Sequence, residues 1–278
     1  MLSRSSIGSL ALAAALSLVV GAAHGFDDAR YPDWRGQWSR MGGGNWDPDK
    51  ARGLAQQAPL TAEYQAVLDE SLADQARGGQ GNDPGYRCRP HGMPRAMIGI
   101  QPIQFVILPE TTYVMHELFS QLRRIYTDGR SWPAQVEPSS LGYSIGRWLD
   151  EDGDGRYDTL LVETRGLKNP RSYDSSGIPF HKDNQTVVKE RIRLDKANPG
   201  VLQNEVTTID NALTRPWTVT RSYRQKLSSV WIEYICSEDN HHVVIGDQNY
   251  LVNAEGYLMP VRKGQPPPDL KYFDPPPK

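Results

Sequence analysis

The chain has 278 residues, a formal net charge of −2, 38% hydrophobic residues and only two cysteines. That balance argues against a nucleic-acid partner, which requires a clustered basic face. The length is enough for one large domain with a real core.

Met1–Arg4 carries one positive charge, Ile7–Ala23 is apolar or small almost throughout, and Gly21, Ala22, Ala23 and Gly25 are small. This pattern predicts a secretory signal peptide over residues 1–25. The plainer alternative is a retained anchor, but the apolar run is short for the roughly 20 residues of a spanning helix. Cleavage removes Arg4 and takes the formal charge from −2 to −3. The mature protein is expected to be periplasmic or secreted, with no further membrane span. Cys88 and Cys236 would then meet an oxidising compartment, where a disulfide between them is favoured over two buried free thiols.

Residues 26–262 read as a single β-rich domain. Trp34, Trp38 and Trp46 lie close together in an irregular start and suit packing anchors. A helix is predicted over about 61–77, capped by Thr61, with Tyr64, Val67, Leu68 and Leu72 as its apolar stripe. Gly78 and Gly79 end it.

Strand patterns then follow at Ile103–Leu108, Thr112–Leu118, Gln121–Tyr126, Gly142–Trp148, Thr159–Thr164, Thr186–Leu194, Val201–Ile209, Thr218–Arg224 and Trp231–Cys236. Short connections favour sequential antiparallel pairing. The fold class is mostly β: an antiparallel meander forming a lipocalin-like barrel or a strongly curved sheet, with one N-terminal amphipathic helix. Gly36-Gln37-Trp38 is similar to the G-x-W start of lipocalin barrels. Residues 263–278 form a Pro-rich tail expected to be extended, with a protein partner as one use for it.

Between two of these strands, Asp150-Glu151-Asp152-Gly153-Asp154-Gly155-Arg156-Tyr157-Asp158 places acids at positions 1, 3, 5 and 9 and a glycine at position 6. Ca²⁺ takes several oxygen ligands at once. Asp150, Asp152, Asp154 and Asp158 offer carboxylates, and Arg156 a carbonyl. Position 12 is Leu161, so this is no EF-hand. The loop resembles the D-x-D-G-D-G-x-x-D calcium loops of integrin-type β-propeller repeats. The alternative is a solvated acidic turn. A bound Ca²⁺ here would be structural.

Further segments recur in order: Cys88-Arg89-Pro90-His91-Gly92-Met93-Pro94-Arg95, Arg124-Ile125-Tyr126-Thr127-Asp128-Gly129-Arg130, Gly142-Tyr143-Ser144-Ile145-Gly146, Val162-Glu163-Thr164, Thr214-Arg215-Pro216-Trp217 and Glu233-Tyr234-Ile235-Cys236. Together they resemble a large family of uncharacterised exported bacterial proteins, over roughly residues 32–240. The resemblance implies a single β-rich domain and no particular activity.

Strand alternation suggests interior groups. Glu190 shares a face with Val188, Ile192 and Leu194, where a carboxylate is costly unless paired or protonated. It is a candidate acid/base with a raised pKa, or else half of a buried Glu–Arg pair, with Arg123 and Arg124 as possible partners. Glu163 alternates with Leu161 and could behave similarly. Asp128 and Arg130 flank a tight Asp-Gly turn, read either as a plain corner or as catalytic groups at a barrel mouth. Arg124, Glu163 and His181 are candidate ligand-binding groups. No serine-hydrolase, zinc-protease or phosphate-loop motif is present in the sequence.

These readings converge on an exported barrel that binds a small, largely apolar molecule, with no organic cofactor. The alternatives are a hydrolase, lyase or isomerase using interior carboxylates, and a calcium-stabilised envelope module.

Overall fold

The computed structural model describes residues 28–42, 58–77, 79–99, 101–227, 230–234, 236, 242–245, 248–252 and 258–259. Residues 1–25, where a signal peptide is expected, lie outside them, as do Trp46, Gly78 and the Pro-rich tail.

Nine strands close a barrel in chain order: β1 (Gln37–Arg40), β2 (Ile103–Ile107), β3 (Thr111–His116), β4 (Gln121–Tyr126), β5 (Tyr143–Leu149), β6 (Thr159–Arg165), β7 (Val187–Leu194), β8 (Val201–Ile209) and β9 (Trp217–Lys226). Strand β1 pairs with both β2 and β9 and closes the ring. Antiparallel neighbours alternate in direction, so an odd number of strands cannot close without a parallel pair. That pair is β4–β5. A connection over residues 127–142 returns the chain to the mouth where β4 began, which a tight hairpin cannot do.

The expected meander is therefore present with one parallel step. Its membership also differs from the pattern reading. Trp231–Cys236 forms no strand among its described residues, and the short Gln37–Arg40 takes the ninth place. A separate three-stranded sheet, β10 (His242–Ile245), β11 (Gln248–Val252) and β12 (Leu258–Met259), follows the barrel.

Side chains alternate between the interior and the outer face, as strand geometry requires. One apolar cluster runs the length of the interior, from Trp34, Trp38, Phe105, Leu160, Ile192 and Leu202 through Val114, Ile125, Val162 and Val206 to Met93 and Met97 at the plugged end. The lower mouth is the end where β5 turns into β6 through the acidic loop. Trp34 closes it, packing edge-on against Phe105 at 5.0 Å and against Trp148 at 5.0 Å.

The upper mouth is plugged by the short helical turn Arg95–Ile98, whose carbonyls accept from barrel side chains. Arg40 donates to the Ile98 carbonyl at 2.8 Å, and the Tyr223 hydroxyl donates to that of Met97.

Helix α1 (Ala62–Ala76) starts where Thr61 accepts from the Tyr64 amide, as expected of an N-cap. Its stripe is narrower than predicted, because Tyr64 and Leu68 are buried while Val67 is 38% exposed. Leu68 packs with Tyr173, Ile178, Phe180 and Trp217, so the helix covers the start of β9. Cys88 and Cys236 form the expected disulfide across 148 residues of sequence. It ties the segment after β9 to the loop that leads into the plug. No helix among the described residues is long and apolar enough to cross a membrane.

Candidate functional site

A polar group is set into the interior beneath the plug, among Val162, Val188 and Val206. Glu190 points inward from β7, and Arg123 points inward from β4. The Arg123 Nη2 donates to Glu190 Oε2 at 2.5 Å, and the two side chains are 1% and 0% exposed. Asn204 of β8 donates to the second oxygen, Oε1, at 2.9 Å. Arg123 also donates to Ser144 at 3.2 Å and to Thr164 at 2.8 Å. Glu190 thus has both oxygens engaged and belongs to a buried ion pair. Of the two arginines proposed as its partner, the inward-facing Arg123 is the one that reaches it.

His116 projects inward from the end of β3. Its Nδ1 lies 3.1 Å from the Ala96 carbonyl. A carbonyl oxygen can only accept, so Nδ1 carries the ring hydrogen and Nε2 carries the lone pair. Burial, and then the charge of Arg123, pull the His116 pKa down to about 3. The ring is therefore neutral at neutral pH. Tyr223 is held protonated: burial, and then the Glu190 charge, raise its pKa.

Three buried polar atoms of this group have no hydrogen-bond partner among the described residues: Arg123 Nη1, His116 Nε2 and Asn204 Oδ1. Most buried polar atoms do find partners.

The other residues singled out from sequence lie outside the barrel. Arg124 is exposed on the outer face, one residue and one pleat away from Arg123. Glu163 also faces outward, 2.5 Å from Arg165 and 3.6 Å from Lys189. In β6 it is Leu160, Val162 and Thr164 that face in.

Asp128 and Arg130 form an exposed pair at 2.6 Å on the turn after β4. Hydrogen bonds from Arg130 hold the Asp128 pKa down at about 2, and Arg130 stacks 3.8 Å over the Tyr126 ring. The pair is neither a hairpin corner, since residues 127–142 cross over to the parallel strand β5, nor part of the barrel interior. Arg130 and Glu163 share a shallow outer groove of ≈ 590 Å³ with Arg147 and Lys189. His181 lies at the surface of the upper mouth, 2.8 Å from Asp183, with its ring against Tyr64 at 5.4 Å.

In the acidic loop, the carboxylates of Asp150, Asp152 and Asp154 lie within 4.8 Å of one another and could hold a metal ion. Asp150 is fixed by two amides, Gly153 N–H at 2.7 Å and Gly155 N–H at 2.8 Å. Both glycines have positive φ, +77° and +88°, which L side chains rarely adopt. Arg156 donates its amide to Asp154 at 2.8 Å. Asp158 stands outside the triad: Oδ2 accepts from the Glu151 amide at 3.3 Å, while Oδ1 is buried without a partner. The loop borders a cleft of ≈ 480 Å³ that also contains Lys196, 3.7 Å from Asp152.

Pattern reading did not single out a second buried polar cluster. Arg95 clasps Asp83 at 2.5 and 3.0 Å, and Ser172 donates to the same carboxylate at 3.1 Å. Burial alone would raise the Asp83 pKa, but Arg95 outweighs it and the pKa is lowered. Asn204 also escaped selection. Strand alternation could have placed it inward, because it alternates with Leu202 and Val206, but it could not show what it meets; His116, like His181, could join a site only through tertiary contact.

Neither a scan against protein-family models nor a search of curated proteins finds a match to this chain.

Proposed function

We propose that this chain is an exported barrel that holds a small molecule in its interior, against the buried polar group of Arg123, His116 and Asn204. The observation that carries the reading is the set of buried unpartnered atoms Arg123 Nη1, His116 Nε2 and Asn204 Oδ1. Each such atom costs about 1–3 kcal/mol if left dry. A guest that pairs with any of them recovers part of that cost, while the surrounding apolar cluster accepts its hydrocarbon part. Export is supported by the N-terminal charge and hydropathy pattern and by the Cys88–Cys236 disulfide.

Acid/base catalysis has less support. Glu190 has both oxygens occupied, and Asp128 and Arg130 neutralise one another on the outer face. Native mass spectrometry of protein purified from an exporting host tests the binding reading. Retention of a stoichiometric adduct supports it, and a bare chain mass in every charge state contradicts it.

A Ca²⁺ ion in the β5–β6 loop is a second element of the proposal, favoured by the convergence of Asp150, Asp152 and Asp154. The residues fit a hard cation, since the donors are carboxylate oxygens and the buried Asp158 Oδ1 is an unclaimed one nearby. The ion would supply charge neutralisation and fix the hairpin at the lower mouth.

A further inference from the structure

The unpartnered atoms at the top of the interior are not alike. His116 Nε2 is an acceptor, because Nδ1–H is committed to the Ala96 carbonyl at 3.1 Å. Arg123 Nη1 is a donor, as every guanidinium nitrogen is. The two side chains are diagonal neighbours on paired strands: Val114 lies opposite Arg123, His116 lies opposite Gln121, and both side chains are buried inward. Diagonal residues on one face stand about 7–8 Å apart at the backbone, within reach of a bridging group for long side chains.

Charge narrows the choice. Arg123 already has its counter-ion in Glu190 at 2.5 Å. A carboxylate guest would bring a second negative charge beside Glu190 and would turn lone pairs toward the His116 lone pair. An ammonium guest would face Arg123. A carbonyl guest would satisfy Arg123 but leave His116 Nε2 without a donor. A hydroxyl group meets both needs, with its oxygen accepting from Arg123 Nη1 and its hydrogen donated to His116 Nε2. Val114 and Ile125 lie next along these two strands and belong to the apolar cluster, so the remainder of the guest is hydrocarbon.

We infer that the barrel selects a neutral alcohol or phenol with an apolar body, read through its hydroxyl by His116 and Arg123; this rests on the ligand-binding reading above.

Three probes of similar size test the class: phenol, toluene and benzoate, titrated into the full chain and followed by amide and side-chain NMR shifts. Phenol is expected to bind about tenfold or more tightly than toluene, the worth of one or two buried hydrogen bonds, with benzoate weakest. In His116→Phe the advantage of phenol over toluene should vanish. Benzoate binding best, toluene equalling phenol, or a phenol advantage that survives His116→Phe would each overturn the class assignment. If none of the three binds, the ligand-binding reading falls with it. The order of the probes on the wild-type chain is decisive even if the variant does not fold.

Discussion

Arg123 and Glu190 meet inside the barrel although β4 and β7 are not neighbours in the sheet. Two strands separate them around the wall, and the pair bridges the interior with both side chains withdrawn from solvent. Removing two charges from water is expensive, and the mutual attraction repays it only with good geometry and further hydrogen bonds. Ser144, Thr164 and Asn204 provide those bonds here.

The pair should therefore be costly to break and cheap to replace. Glu190→Leu alone leaves Arg123 buried and uncompensated, with an expected loss of roughly 3–5 kcal/mol in urea denaturation. Arg123→Met combined with Glu190→Leu should recover most of that loss. A double variant as unstable as the sum of the two singles would contradict the assignment.

Stability should fall in mild acid because of His116. Its folded pKa is depressed to about 3, whereas an unfolded histidine titrates near 6.5. The unfolded chain binds the proton first as pH falls. The contribution is thus fully present above about pH 6.5 and is lost progressively toward pH 3. His91, depressed to about 4 by burial and then by Arg95, acts in the same window. His116→Gln should flatten the slope of stability against pH between about 6 and 4, by an amount on the order of a few kcal/mol. An unchanged slope would remove His116 from the account.

Calcium should raise the melting temperature, and EDTA should lower it. Binding only to the folded chain stabilises by about 2.7 kcal/mol at a hundredfold excess over Kd. Asp152→Asn with Asp154→Asn should abolish the response while leaving Asp150 to shape the turn. A wild-type melting curve indifferent to calcium would end the metal reading.

The disulfide should act as a latch on the segment after β9. That segment also touches the β3–β4 turn, where the Ile232 amide donates to Glu117 at 3.2 Å and Phe119 meets Tyr234 at 5.8 Å. Cys88→Ser with Cys236→Ser should cost roughly 2–5 kcal/mol and make residues 230–236 sensitive to protease. The denatured, unreduced wild type should show no free thiol by titration.

Most of the barrel was legible because eight strands are short runs rich in β-branched or aromatic residues. The ninth was not. Gln37–Arg40 is four residues long and mostly polar, so pattern reading passed over it. Trp231–Cys236 looked more strand-like but leaves Ile232 63% exposed, held by the latch rather than by pairing. Period-two reasoning placed Glu190 inward. It failed at Glu163 because both faces of β6 carry leucines, and only packing decides between Leu160 and Leu161. Arg123 and Arg124 are adjacent, so one faces in and the other faces out. That Arg123 and His116 are diagonal neighbours needs the register between β3 and β4, which no single strand contains.

The most direct measurement is a high-resolution crystal structure of protein purified from cells without unfolding. Connected non-protein density is expected in the upper interior, with an oxygen between His116 Nε2 and Arg123 Nη1 and a body reaching toward Val114 and Ile125. Isolated water peaks at those atoms, with side chains filling the remaining space, would contradict it.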